Sequence, residues 1–289
     1  MPVTRRSCLH PLIIPSCASG ILLAATLCAM ALVCVDASSI ADEVPPAERH
    51  QHAHWRNPVA LVLSDDERCA YVANRRSGSV SVVDLERSAV VAEVEVAGKL
   101  NDLVRLTSHL MLATDEERGR LLLLECDGPK VSIVAQLDGL GEPVCVRPTT
   151  DGRSCCVTSL WSRLATFVAI ENTDGRPVLR RIASMQLPFN PRRLVWLPQA
   201  RRFVVAEAFG GRLAVLDPQS GKVESVRELP AHNIGDLRPS ADGRSLLLTH
   251  QILNARASTE FNNVHWGILM SNVVRTIPLT AVCDSTADL

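Results

Sequence analysis

Residues 57–281 read as an all-β chain, a β-propeller of about five four-stranded blades, and three observations lead there. The stretch repeats itself, with units opening at residues 57, 99, 142, 190 and 233. Each unit breaks into apolar runs of a few residues bounded by Gly, Asp, Asn or Pro, too short for amphipathic helices. The hydrophobic share is 47% but aromatics make up only 3%, so the apolar residues are chiefly Val, Leu, Ile and Ala. A period in the low forties is that of a WD-repeat-like propeller blade.

The units are 57–98, 99–141, 142–189, 190–232 and 233–281, with 282–289 as a tail. Asn57-Pro58-Val59-Ala60-Leu61 aligns with Glu142-Pro143-Val144-Cys145-Val146, and Asn190-Pro191 and Asn233-Ile234 open later copies. Each opening strand runs into a polar turn: Ser64-Asp65-Asp66, Thr150-Asp151-Gly152, Ala241-Asp242-Gly243. Second runs follow, Cys69-Ala70-Tyr71-Val72-Ala73 and Phe203-Val204-Val205-Ala206 among them. Third runs end in an acid, as in Ser79-Val80-Ser81-Val82-Val83-Asp84 and Arg212-Leu213-Ala214-Val215-Leu216-Asp217. A fourth run, Val90-Val91-Ala92-Glu93-Val94-Glu95, closes the first unit with period-2 alternation.

The first 41 residues carry an address. Arg5 and Arg6 precede an uncharged apolar run at 21–35, and small residues follow at Ala37, Ser39 and Ala41. That is a secretory signal, with residues 42–56 as a flexible linker and a periplasmic or secreted destination. The run would span roughly 23 Å as a helix, short of a hydrocarbon core of about 30 Å, so cleavage is favoured over a retained anchor. Thr4-Arg5-Arg6-Ser7 loosely matches a twin-arginine signal and leaves that route open. With 30 basic against 31 acidic residues the chain has no electrostatic footprint for nucleic acid, nor a membrane attachment beyond the signal segment.

Tyr71-Val72-Ala73-Asn74 followed by Gly78-Ser79-Val80-Ser81-Val82-Val83-Asp84 resembles the YVTN-type propeller repeat of bacterial exported proteins. Ala208-Phe209-Gly210-Gly211-Arg212, Leu229-Pro230-Ala231-His232-Asn233 and His250-Gln251-Ile252-Leu253-Asn254 extend a resemblance to the N-terminal propeller of propeller–di-haem, cytochrome-c-peroxidase-like proteins. The resemblance implies a seven-bladed ring, so five units are expected to form an incomplete one. It also implies haem c in a downstream domain. No Cys-x-x-Cys-His occurs in this chain, so no cofactor is assigned to it. A missing C-terminal domain or another protein is the expected partner.

In a propeller the first strand lines the channel, and the segment leading into it shares one end of the blade with the turn after the second strand. The second-strand ends are Asn74, Asp115, Ser159, Glu207 and His250. They are candidates for a small ligand or partner at the channel mouth, or else ordinary strand ends satisfied locally. His232, Asn233, His265 and Trp266 are candidate partner contacts, the last two flanking a long insertion in the fifth unit at residues 251–264. His50, His52 and His54 alternate in an extended segment and are weak metal candidates. A hairpin brings Cys145 on the first strand opposite Cys155 or Cys156 on the second, where either a disulfide, with Cys156 the candidate, or reduced buried thiols are expected.

No catalytic constellation is present: no supported Ser-His-Asp order, phosphate loop or positioned carboxylate pair. The sequence therefore reads as an exported binding or scaffold module, the front part of a redox protein. The alternative is a lactonase- or dehydrogenase-like propeller enzyme with a ligand or metal in the channel.

Overall fold

The structure, a computed structural model, describes residues 55–289. The signal segment and His50, His52 and His54 lie outside the described residues. The remainder is all-β, built as five successive antiparallel sheets, the blades of a propeller.

Blade 1 comprises β1 (Pro58–Leu63), β2 (Cys69–Asn74), β3 (Ser79–Asp84) and β4 (Ala89–Glu95). Blade 2 comprises β5 (Leu100–Arg105), β6 (Leu110–Asp115), β7 (Arg120–Asp127) and β8 (Lys130–Leu137). Blade 3 is β9 (Pro143–Pro148), β10 (Ser154–Ser159), β11 (Leu164–Thr173) and β12 (Arg176–Gln186). Blade 4 is β13 (Pro191–Leu197), β14 (Arg202–Glu207), β15 (Arg212–Asp217) and β16 (Lys222–Glu228). Blade 5 has three strands, β17 (His232–Pro239), β18 (Ser245–Leu253) and β19 (Met270–Pro278), with a one-turn helix α1 (Phe261–His265) between the last two. A second one-turn helix, α2 (Leu279–Cys283), follows. Among the described residues no helix is long and apolar enough to cross a membrane.

The polar turns seen in the sequence form the first hairpin of three blades by one device. A hydroxyl donates to an aspartate two residues on: Ser64 to Asp66 (2.6 Å), Thr149 to Asp151 (2.7 Å) and Ser240 to Asp242 (2.5 Å). The same carboxylate then accepts the backbone N–H of Arg68, Arg153 or Arg244, each at 3.1 Å. Such side-chain-to-backbone bonds preorganise the turn.

Strand alternation then sends one set of side chains toward the preceding blade and the other toward the following one. The innermost strands pack in chain order, β1 on β5, β5 on β9, β9 on β13 and β13 on β17. Four separate apolar clusters result, one at each blade junction. Leu103 is buried between blades 1 and 2, Val146 between 2 and 3, Leu194 between 3 and 4, and Leu237 between 4 and 5. Burying a Leu in this way stabilises the fold by about 1.5–3 kcal/mol. Polar bonds join the same junctions. Tyr71 Oη donates to the Gly128 carbonyl (3.0 Å), Trp196 Nε1 to Thr150 Oγ1 (3.0 Å) and Arg193 Nε to the Gly235 carbonyl (2.7 Å).

Two expectations change. The fifth-unit insertion does not start at residue 251, because β18 runs on to Leu253, paired with Met270 of β19; the irregular segment is 254–269. The Cys145–Cys156 bridge does not form, and all six described cysteines are free. The reason is register: Cys145 stands opposite Thr158, while Cys156 stands opposite Arg147. The two thiols share a face but sit diagonally, where Cα separations of about 7–8 Å exceed the 4.4–6.8 Å a disulfide spans.

Candidate functional site

The five residues expected to end the second strands occupy equivalent register positions, although β18 continues past His250 to Leu253; the other four make local bonds that tie the blade together. Asn74 Nδ2 donates to Ser79 Oγ (3.1 Å) and Ser81 Oγ (2.8 Å). Asp115, fully buried, accepts from the backbone N–H groups of Gly98 and Lys99 in the segment leading into β5, both at 3.2 Å, and from Arg120 at 2.8 Å. The Ser159 hydroxyl donates to the Leu140 carbonyl in the segment leading into β9. Glu207 pairs with Arg212, whose Nη1 reaches back to the Pro188 carbonyl. Each residue therefore fastens the turn after the second strand or the chain leading into its own blade.

The carboxylates are held below their ordinary pKa. For Asp115 burial pushes upward, and the bonds from Arg120, Lys99, Arg118 and Gly98 outweigh it. For Glu207 the Arg212 hydrogen bond lowers the pKa against a smaller effect of burial. His250 differs: Nδ1 lies 3.1 Å from the Gln251 carbonyl, while the buried Nε2 has no partner.

Strand alternation gives way to the turn one and two residues further on. These positions hold Arg75 and Arg76 in blade 1, Glu116 and Glu117 in blade 2, Leu160 and Trp161 in blade 3, and Ala208 and Phe209 in blade 4; the second of each pair is exposed, whereas the first is half-buried or, at Ala208, buried. Glu116 takes Arg75 at 2.5 Å, Asn101 at 2.6 Å and Lys99 at 3.3 Å. The Arg76 guanidinium lies over the Trp55 ring, 5.9 Å from its centroid. Arg75, Arg76, Lys99, Glu116, Glu117 and Glu142 line a cavity of about 570 Å³ at this end of blades 1–3. Glu142 brings a buried Oε2 with no hydrogen-bond partner. Trp161 and Phe209, both exposed, lie 6.0 Å apart between centroids with their planes tilted by 31°, on the same end of blades 3 and 4.

Reading strand ends missed these residues. Their signal was nonetheless present, as opposite charge pairs at the same turn positions of neighbouring units.

The remaining candidates fall elsewhere. His232 opens β17 half-buried, and the exposed Asn233 adopts φ +49° and bonds Gln251 Oε1 at 2.7 Å. His265 stacks on Phe261 at 5.5 Å and meets the Trp266 ring edge-on at 5.1 Å, with all three side chains exposed. Trp266 therefore fills no gap in the core. Among the described residues no group of three or more His, Cys, Asp or Glu side chains is placed to hold a metal ion.

No known protein-family model matches the chain, and no curated protein matches it in sequence. Solved structures do match in fold. Hydrazine synthase of Kuenenia stuttgartiensis superposes with a TM-score of 0.65 at 19% identity, over 78% of this chain and 63% of that one. A protein from Lactobacillus plantarum gives 0.59 at 10% identity, over 76% and 74% of the two chains. The β-propeller domain of Myceliophteria thermophila Cps50 (Swd1) gives 0.53 at 12% identity, over 71% and 68%. At these identities the likeness is one of fold. The chain matches less than two thirds of the length of the hydrazine synthase chain.

Proposed function

We propose that the chain is a binding module, exported by its N-terminal signal, whose propeller holds a small polar ligand at the channel mouth. The observation that carries this reading is the cavity lined by Arg75, Arg76, Lys99, Glu116, Glu117 and Glu142, the last of which also has one carboxylate oxygen buried without a hydrogen-bond partner. A buried oxygen of this kind loses its water without a replacement bond, which a ligand donor restores. Arg75 and Lys99 are already paired to Glu116. Glu142 and Arg76 are thus the groups that select a ligand carrying both a hydrogen-bond donor or ammonium and an anionic group. The local pairing of Asn74, Asp115, Ser159 and Glu207 supports binding over catalysis, because it commits those side chains to the scaffold.

The resemblance to propeller–di-haem proteins supports a redox setting, with haem c carried by a downstream domain or a partner. This chain's own cysteines do not fit covalent haem, since none stands in a Cys-x-x-Cys-His sequence. A thermal-shift panel of amino acids, small carboxylates and amines tests the mouth site. The expected result is a saturable rise with a zwitterionic member that Glu142→Gln and Arg76→Ala each abolish. A panel without response, or a response that both variants keep, overturns it.

A further inference from the structure

Each blade repeats the same positions in the same register, so one residue can be followed through all five. Leu61 of β1 stands opposite Val72, as Leu103 stands opposite Ala113, Val146 opposite Val157, Leu194 opposite Val205 and Leu237 opposite Leu248. This position points at the preceding blade. The four later residues are at most 4% exposed, whereas Leu61 is 59% exposed. On the other face, Val80, Leu121, Ala165 and Leu213 open the third strands, opposite Ala73, Thr114, Thr158 and Ala206. They are all 0% exposed beneath the following blade. Their counterpart in blade 5, Val274 opposite Thr249, is 71% exposed. Leu247, counterpart of the buried Tyr71, Leu112, Cys156 and Val204, is exposed as well.

Blade 1 thus presents the face that elsewhere receives a preceding blade, and blade 5 the face that receives a following one. Among the described residues, β17 does not pack back on β1 as the other inner strands pack on one another. Nor does the C-terminal segment cover the Val274 face of blade 5. It packs into the junction of blades 4 and 5, where α2 lies against β18 and β19, Arg227 of β16 donates to the Ala281, Asp284 and Ala287 carbonyls and Val282 is buried.

We propose that the open faces at Leu61 and Val274 are docking surfaces for further blades of this same repeat, inserted between blade 5 and blade 1. The argument is continuity: four junctions within the chain already show what each face accepts. A second copy is disfavoured as occupant, because two five-bladed copies make ten blades where closed propellers hold about 4–8. A unit of up to about three blades fits. The inference rests on the fold alone and is independent of the mouth site.

The test uses the full chain and the same chain extended after Leu289, through a flexible linker, by a second copy of its own residues 142–232. Leu61→Asp and Val274→Asp are placed in both. In the unextended chain neither substitution is expected to change the melting temperature. In the extended chain, amide exchange in 58–63 and 270–278 is expected to slow by roughly tenfold, and each substitution to cancel the slowing at its own end. A second extension, carrying residues 99–189, guards against one unit failing to fold. Unchanged exchange with both extensions overturns the proposal. A loss of melting temperature in the unextended chain also overturns it, by showing the faces already covered. So does self-association that either substitution abolishes, by giving the faces to a second copy.

Discussion

Arg147 of β9 reaches across a blade junction to Asp102 of β5, with Nη1 at 2.5 Å from Oδ2. The same carboxylate oxygen accepts the Val146 backbone N–H at 3.0 Å, so one nearly buried acid holds two groups of the next blade. Asp102→Ala strands both the guanidinium and the amide, and is expected to cost roughly 3 kcal/mol. Removing Arg147 as well should recover part of that loss. Urea denaturation in a double-mutant cycle measures the coupling, and additive losses would deny that the pair acts as a unit.

Acid should loosen the protein through the strand-end carboxylates. Asp115 and Glu207 have folded pKa values below their ordinary ones, so the unfolded chain binds their protons first. Their contribution is fully present above the unfolded values of about 4 and is lost as pH falls through the lowered folded values. Melting temperature should therefore fall steeply below about pH 4. Asp115→Asn and Glu207→Gln should start less stable and show a shallower fall, which scanning calorimetry across pH would read.

The thiols should divide into two classes. Burial pushes the Cys126 and Cys145 thiols up to about 12 and raises Cys155 and Cys156 as well. Cys69 and Cys283 are only partly buried. A maleimide reagent is expected to modify Cys69 and Cys283 in the native protein and the other four only after denaturation. Mass mapping that finds Cys145 joined to Cys156 would contradict the register described above.

Two glycines with the same backbone sign should respond differently to alanine. Gly78 has φ +63°, and a Cβ there would collide with the Ala97 carbonyl oxygen. Gly128 has φ +55°, with nothing within 4 Å of the added atom. Gly128→Ala should cost about 1 kcal/mol, the backbone penalty alone. Gly78→Ala should cost clearly more, because the strand pairing around the turn must shift. Equal losses in denaturant titrations would remove the role given to the Ala97 contact.

Much of the fold was legible in the chain because a repeated sequence repeats its physics. The Ser/Thr-x-Asp turns, the runs bounded by glycine and the third-strand aspartates each recur at fixed spacing, and each produces the same hairpin in space. The blade count and strand order followed from that. Less legible was anything decided by register across strands. Cys145 and Cys156 looked opposed because a hairpin joins them, yet the pairing is two residues out of step, and only the ladder reveals that. The mouth site was displaced by one or two residues for a related reason. At a strand end alternation still turns Asp115 inward, and the turn brings Glu116 against Arg75, Asn101 and Lys99 and Glu117 out to solvent.

Because each apolar cluster belongs to two neighbouring blades, the protein has no single centre whose loss would melt everything at once. Its stability approximates a sum over nearest-neighbour junctions, as in a one-dimensional array. Blades 2, 3 and 4 are each gripped on both sides, and blades 1 and 5 on one. Opening should therefore begin at the ends and move inward, with blade 3 the last to release its amides. The same asymmetry lets any adjacent pair of blades serve as the nucleus during synthesis, and each later blade can then add to a surface already formed.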